Sequence, residues 1–255
     1  MNYGNTNVIL SNNVTELGEK AASDVAGKMR ELLSEKEQIN MVFSSAESQL
    51  SFFTSLAAEK EIDWKRVVCF NVDDFHDVRM PAYYTCGFLT QNMLYDKVLP
   101  KTVNLINYRA KDPYQEAERF SDLLVGAGEI DIMCLGIGES GHLALNEPFD
   151  TDFNEKKLVK VVDVAAESKA QLMNDPHFRS LGYIPEIGIT MTTTAMQSAN
   201  NVYTMVPLEN KQSVLKRLFQ IDEPTNELPA SILLKIEGNL YLDKDSCPSE
   251  LASEF

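Results

Sequence analysis

The chain has 255 residues, of which 44% are hydrophobic, so it is long enough to bury a large core within one domain. Its formal net charge of -15 argues against nucleic acid or an anionic membrane surface as a partner. No apolar run approaches the roughly 20 residues of a membrane span, and the N-terminus lacks a basic region followed by an apolar one. We therefore expect a cytoplasmic protein with a single domain over residues 1–255.

Hydrophobic periodicity predicts helices that alternate with buried strands. Asn13 followed by Glu16 is a helix-capping pattern, and an apolar stripe continues from it to about Ser34. Apolar runs predict strands over 39–43, 66–72, 132–135, 158–164, 201–206 and 238–243, and one more that ends at 191. Further helices are predicted over 50–58, 83–99, 113–124 and 165–173, with another opening at 211. This order predicts a three-layer α/β/α, Rossmann-like fold around a mostly parallel sheet.

The segment 131–148, DIMCLGIGESGHLALNEP, places a short apolar run before a loop that contains three glycines. Such a loop lies at the carboxyl end of its strand, where open α/β sheets bind ligands. It carries His142 and, five residues later, Glu147. Imidazole titrates near neutrality and a nearby carboxylate can fix its tautomer, so the two form a candidate acid/base couple. The alternative is a histidine with a structural role in the loop.

Two other polar segments follow predicted strands. Ser48 and Gln49 lie in a small-residue turn before a helix, where free N–H groups make either a phosphate site or an ordinary capped turn. Asp73 and Asp74 come directly after the next strand. Burial and mutual repulsion raise a carboxyl pKa towards the range of a general base. The pair could also merely cap a loop.

The four cysteines are far apart in the sequence and form no CxxC pair. Two of them, Cys69 and Cys134, lie in apolar runs, where a thiol usually acts as a small buried hydrophobe. We therefore predict no disulfide and no metal site.

The string GIGESGHLALNEP resembles the signature of the glucosamine-6-phosphate deaminase/isomerase family, which reads GxGxDGHxAFNEP. It is closer still to a less characterised branch with Glu-Asn-Gly-His in this loop. The segment FNVDDF at 70–75 resembles the family's FNxDEY, and LPASIL at 228–233 recurs in the family. The resemblance implies a small-molecule sugar phosphate as substrate and no metal or organic cofactor.

The resemblance also implies roles for the candidate residues. Asp73 would abstract the proton next to the carbonyl carbon, and His142, oriented by Glu147, would open the sugar ring. Lys169 stands where the family often has arginine as a phosphate ligand; lysine keeps the charge but loses the bidentate fork. The residues implied to contact the substrate are Asp74, Gly141, Lys211, Lys169, Ser48 and Gln49.

Ser140 is the main departure, because the deaminases have an Asp there that completes a carboxylate–His–carboxylate relay. A serine can hydrogen-bond His142 but cannot stabilise the imidazolium with a charge. The prediction is therefore sugar phosphate isomerisation, and ammonia release stays open.

Three other classes of protein also remain open. One is a 6-phosphogluconolactonase, a class that shares the fold but lacks the paired Asp and the Asn-Glu-Pro ending of the loop. Another is a sugar phosphate sensor without turnover. Ser140 allows it, and so do two further departures from the family: the turn with Ser48 and Gln49 lacks the usual glycines, and the histidine that usually follows LPASIL is missing. The last is a purely structural oligomer. A homo-oligomer is compatible with any of them.

Overall fold

Short, mostly apolar segments in which every residue is buried form the centre of the fold, because such segments can be buried on both faces of a sheet. The computed structural model describes residues 1–174 and 176–251. Its strands are β1 (Asn2–Tyr3), β2 (Thr6–Ser11), β3 (Ile39–Phe43), β4 (Val67–Asn71), β5 (Asp73–His76), β6 (Thr102–Asn104), β7 (Ile132–Leu135), β8 (Val159–Asp163), β9 (Ile187–Met191), β10 (Val202–Val206) and β11 (Gly238–Asp243). Its helices are α1 (Val14–Glu35), α2 (Leu50–Ala58), α3 (Cys86–Thr90), α4 (Asp96–Val98), α5 (Pro113–Ala127), α6 (Ala166–Asn174), α7 (Pro176–Arg179), α8 (Thr193–Gln197) and α9 (Gln212–Leu218).

Within the described residues, the main sheet has eight strands in the order β1-β2-β11-β10-β7-β3-β4-β6. Every neighbouring pair is parallel except the edge pair β1 and β2. Successive side chains of a strand point to opposite faces. Accordingly, Ile132 and Cys134 pack with α1 and α2, whereas Met133 and Leu135 pack with α5, α8 and α9. The predicted three-layer, mostly parallel α/β architecture in a single domain is confirmed.

A second, smaller sheet carries part of the candidate site. Its order is β5-β9-β8, and both pairings are antiparallel. The sequence predicted strands at 158–164 and before 191, but it did not predict that they leave the main sheet. An apolar run fixes burial and does not fix the partner strand, so this part of the topology depends on long-range pairing.

Several predicted bounds agree with the structure, and one helix does not. The bounds predicted for β3, β7, β11 and α2 are those observed. The helix predicted over 83–99 instead begins at Cys86, because the Thr85 hydroxyl accepts the Phe88 N–H and caps the helix there. A π-helical segment (Gln91–Tyr95) then joins α3 to α4. No helix in the described part of the chain has both the length and the apolar character to cross a bilayer.

Candidate active site

Four neighbouring strands of the main sheet each deliver one predicted segment to the same edge. The strands β10, β7, β3 and β4 are consecutive and parallel, so their carboxyl ends lie side by side, about 4.8 Å apart from one strand to the next. Lys211 follows β10, and residues 136–147, which we call the histidine loop, follow β7. Ser48 follows β3 and Asp73 follows β4. The fold therefore gathers at one edge the groups that the sequence placed after strands.

Asp73 is connected to the histidine loop through strand β9. Its register partner is Thr190, whose hydroxyl accepts the backbone N–H of Leu145 at 3.3 Å. Gly188, two residues earlier in β9, lies against the same loop residue, since a Cβ built there would be 2.3 Å from Leu145 Cδ1. The small sheet that carries Asp73 thus packs directly on the loop that carries His142.

The Asp73 carboxyl is buried, with only 7% of the residue exposed. Burial, together with the neighbouring Asp74 charge, raises its pKa to about 8. In the described part of the chain no cation pairs with this carboxylate and no donor hydrogen-bonds it. A carboxylate so destabilised takes up a proton readily near neutral pH, as a general base requires.

Asp74 has a different environment from Asp73. Consecutive strand residues face opposite sides of a sheet, and the two oxygens of Asp74 accept the N–H groups of Cys86 at 3.0 Å and Gly87 at 2.9 Å. Burial raises its pKa to about 7, although these backbone hydrogen bonds lower it in part. Asp74 therefore anchors the start of α3 beside Asp73, and its predicted contact with substrate stays a prediction.

The histidine loop contains a compact hydrogen-bond network around Glu147. His142 Nδ1 lies 2.8 Å from Glu147 Oε1 and 2.8 Å from Ser140 Oγ. The Ser140 hydroxyl donates to Glu147 Oε2 at 2.7 Å. A hydroxyl from outside the loop completes the network, because Ser168 on α6 donates to Glu147 Oε1 at 2.6 Å. Sequence reasoning did not assign a role to Ser168.

These contacts determine which ring nitrogen of His142 carries the proton and which one could act as a base. Burial alone would raise the pKa of Glu147, but the hydrogen bond and charge of His142 and the hydroxyls of Ser168 and Ser140 together lower it to about 2. An ionised carboxylate only accepts, and the single Ser140 proton goes to Glu147. His142 Nδ1 must therefore carry the proton of the neutral ring, which leaves Nε2 unprotonated and available as a base.

Two glycines hold the loop in this shape. A Cβ at Gly138 would be 2.0 Å from His142 Nε2, so the imidazole ring lies directly against the Gly138 backbone. Gly141 has φ of +95° and its carbonyl accepts the Ala230 N–H at 2.9 Å. A Cβ there would also be 2.3 Å from Leu228 Cδ1. The LPASIL segment thus docks on Gly141 and supports the loop from behind.

Ser48 and Gln49 lie beside the start of the histidine loop. A Cβ at Gly136 would be 3.1 Å from Gln49 Nε2 and 3.2 Å from Ser48 Oγ. Gln49 is fully buried and its amide donates to the carbonyls of Leu135 at 3.3 Å and Met205 at 3.5 Å. The Gln49 side chain therefore joins the ends of β7 and β10, and Ser48 lies nearer the open edge.

The two predicted phosphate-binding lysines differ in their surroundings. Lys211 is 8% exposed; burial lowers its pKa, and the nearby charges of Glu139 and Glu47 act in the opposite direction. It forms no ion pair with any described residue, so its charge is available to an anion. Lys169 on α6 instead forms an ion pair with Glu186.

The site offers no evident place for a metal ion. Over 1–174 and 176–251, no group of three or more His, Cys, Asp or Glu side chains is arranged to hold one. All four cysteines are free thiols.

The fold and this set of groups define an α/β protein with a candidate acid/base site at the carboxyl edge of its main sheet, and comparison with known proteins identifies the family. The sequence model of the family described as glucosamine-6-phosphate isomerases/6-phosphogluconolactonase matches residues 12–242. The chain belongs to this family and is an enzyme of it.

Individual relatives agree with this assignment. A glucosamine-6-phosphate deaminase from Shouchella clausii is 29% identical over 236 residues, which cover 90% of this chain and 91% of the relative. Among solved structures, a monomeric glucosamine-6-phosphate deaminase has a TM-score of 0.81 at 19% identity, covering 94% of this chain and 98% of its own. A 6-phosphogluconolactonase from Plasmodium vivax has a TM-score of 0.79 at 14% identity, covering 98% and 94%. At these identities the two structures support the fold alone.

Proposed function

We propose that this enzyme is an aldose-ketose isomerase/deaminase acting on glucosamine-6-phosphate or a related hexosamine phosphate. The observation that carries the proposal is the presence of two separate acid/base devices at one sheet edge. One is the buried, unpaired Asp73 carboxyl and the other is the His142–Glu147 couple. Ring opening and carbon-to-carbon proton transfer are two different proton movements, so a reaction that needs both has use for both devices.

The substrate would enter as a closed ring with its phosphate held by Lys211, Ser48 and Lys169. His142 Nε2 takes the proton of the anomeric hydroxyl and delivers a proton to the ring oxygen as the bond between that oxygen and C1 breaks. This leaves an open-chain aldehyde. Glu147 stabilises the imidazolium that His142 forms transiently.

Asp73 would act on the open chain. Its carboxylate removes the proton from C2, which the adjacent carbonyl acidifies, and returns a proton to C1 to give the ketose form. Where C2 carries an amine, the product is a ketimine; water adds to it and ammonia leaves. This chemistry is complete with protein side chains and water, so the proposal includes no cofactor.

A lactone hydrolase is the second candidate, since solved 6-phosphogluconolactonases share the fold. Hydrolysis of a lactone needs a base that activates water, and His142 could serve. Lactone hydrolysis, however, requires no second base, and so it leaves the buried Asp73 carboxyl, with its pKa of about 8, without a role. The environment of Asp73 therefore favours proton transfer at carbon.

Turnover of hexose phosphates in deuterated water tests the proposal. Ammonia release from glucosamine-6-phosphate supports the deaminase, and deuterium incorporation at C1 or C2 without ammonia supports the isomerase. Hydrolysis of 6-phosphogluconolactone without exchange would support the hydrolase, and thermal stabilisation without any reaction would support a sensor. Asp73→Asn should abolish exchange while Asp122→Asn, the same change on an exposed residue of α5, should not. Exchange that survives in Asp73→Asn would contradict the assignment of the base.

We place this activity in the cytoplasm. The proposed substrate is a phosphorylated sugar, and the four free thiols fit a reducing compartment.

A further inference from the structure

Ser168 donates its hydroxyl proton to the same carboxylate oxygen that contacts His142. Its Oγ lies 2.6 Å from Glu147 Oε1, and His142 Nδ1 lies 2.8 Å from that atom. We propose that Ser168 is a positioning residue that fixes the Glu147 carboxylate for His142 and links this couple to Lys169, the next residue along α6. The second half of this statement rests on the proposed function, in which Lys169 binds phosphate.

The first part of the argument concerns the orientation of Glu147. A carboxylate turns easily about its last torsion, and this one has a hydroxyl on each oxygen, Ser168 on Oε1 and Ser140 on Oε2. Only 4% of Glu147 is exposed, so water has little access to replace a missing donor. Two fixed donors on opposite oxygens hold the plane of the carboxylate, and that plane determines how Oε1 meets the Nδ1 proton of His142.

The second part concerns the acceptor of the Ser168 hydroxyl proton. Ser168 is the third residue of α6, which begins at Ala166, so no carbonyl of its own helix lies four residues earlier to compete for its proton. Ser168 has one proton and gives it to Glu147, which lies 21 residues away in the sequence. The hydroxyl therefore joins α6 to the histidine loop.

The third part concerns what else α6 carries. Lys169 follows Ser168 directly, and its ammonium is paired with Glu186 at the entry to β9. Neighbouring helical residues project about 100° apart, so Lys169 and Ser168 face different partners from one turn of helix. A phosphate that draws Lys169 away from Glu186 acts on the same turn that holds Glu147. Phosphate capture and the orientation of the ring-opening base are thereby mechanically connected.

The packing around α6 places this turn close to the base as well. Phe178 on α7 packs edge-to-face on Phe75 of β5, with ring centroids 5.5 Å apart. Leu172 of α6 and Leu145 of the histidine loop pack against the same small cluster. The helix that carries Ser168 and Lys169, the histidine loop and strand β5 thus share one hydrophobic cluster.

Nuclear magnetic resonance of the resting protein tests the positioning role without any substrate. The chain has three histidines, so the ring signals of 15N-histidine-labelled protein can be assigned by single substitutions. We expect a protected Nδ1 proton on His142 in the wild type and in Ser168→Thr, and its loss to solvent exchange in Ser168→Ala. Ser121→Ala, a change in another helix, should leave the signal as it is. An unchanged His142 signal in Ser168→Ala would overturn the inference.

A double-mutant cycle with Glu147→Gln tests whether Ser168 acts through Glu147. We expect Ser168→Ala alone to lower kcat about tenfold, since a hydrogen bond to a charged group is lost. We expect KM to change less than twofold, Ser168→Thr to restore kcat, and Ser168→Ala to add nothing in the Glu147→Gln background. Additive losses would indicate a merely structural serine and overturn the proposal. If the wild type turns over no sugar phosphate, the proposed function fails, whereas the His142 signal still decides the role of Ser168.

Discussion

Gly138→Ala should inactivate the enzyme without unfolding it. The new Cβ would lie 2.0 Å from Nε2, 2.1 Å from Cε1 and 2.3 Å from Cδ2 of the His142 ring. Ordinary contact begins near 3.4 Å, so the ring must move by 3.4 − 2.0, or about 1.4 Å. A displacement of that size cannot preserve the 2.8 Å contacts of Nδ1 with both Glu147 and Ser140. The proposed ring-opening base would then be misplaced relative to the proposed sugar substrate.

The expected loss in kcat/KM is about 100-fold to 10,000-fold, the range set by a 1 Å misplacement and by removal of a general base. The free energy of unfolding should fall by no more than about 2 kcal/mol, because hydrogen bonds of one partly exposed side chain are lost. Steady-state kinetics and urea denaturation measure the two quantities. Gly126→Ala is the matched control, because its Cβ would meet nothing within 4 Å, and it should leave turnover unchanged. A folded Gly138→Ala protein with wild-type kcat/KM would refute the placement of His142 as the base.

Three further predictions concern stability: two follow from buried charges and one from close packing between helices. Asp73→Asn should become more stable relative to wild type as pH rises from about 4 to 8. Over this range the wild-type carboxyl ionises in the unfolded chain but keeps its proton in the folded one, where its pKa is about 8, so unfolding of the wild type is favoured; urea denaturation should show a gain for the variant of up to about 6 kcal/mol. Glu147 behaves in the opposite sense, because its pKa is lowered to about 2 in the folded protein. The ionised carboxylate stabilises the fold fully above pH 4.5, and this contribution of at most about 3 kcal/mol is lost as pH falls through 2. Acid unfolding of Glu147→Gln should therefore lack this pH-dependent loss of stability. Gly18→Ala should lower the free energy of unfolding by about 1–3 kcal/mol in thermal denaturation, since its Cβ would lie 2.6 Å from the backbone carbon of Ser51, whereas Gly27→Ala in the same helix meets nothing within 4 Å.

Each of these outcomes can fail separately. A pH-independent difference between Asp73→Asn and wild type would mean that the carboxyl is not buried as described. If Glu147→Gln and wild type have parallel acid-unfolding curves, Glu147 is not an ionised, stabilising member of the network. Equal stabilities of the Gly18 and Gly27 variants would mean that α1 and α2 do not approach closely at Gly18.

The parts of the fold that the sequence predicted are those where apolar burial alone decides the structure. Strands β3 and β7 are wholly buried, and their runs of apolar residues predicted both bounds. Strand β2 (TNVILS) was missed because it mixes polar and apolar residues near the sheet edge. Strand β5 was missed because it begins with two aspartates, which are depleted in strands, and it forms only through pairing with β9, more than 100 residues away.

The candidate site likewise has residues that could be predicted from the sequence and residues that could not. Strand ends predicted where Asp73, His142 and Lys211 would lie, because parallel strands bring their carboxyl ends together. Ser168 could not be predicted, because a lone helical serine carries no local signal of a partner in another segment. Its one hint was its position next to Lys169. The bridging geometry of Ser140 likewise depends on the three-dimensional turn rather than on residue type.

Asp73 lies in the small sheet, whereas His142 lies on a loop that follows a strand of the main sheet, and the contact of Gly188 with Leu145 joins the two. A hydrogen atom is the largest group that position 188 accepts without displacement, since even a methyl carbon would be 2.3 Å from the leucine. A larger residue there would press on Leu145 of the histidine loop and on the Asp74 carbonyl oxygen of β5, which lies 3.2 Å from the same Cβ position. Under the proposed function, one substitution at position 188 would therefore change the spacing between Asp73 and His142 while leaving both residues in place.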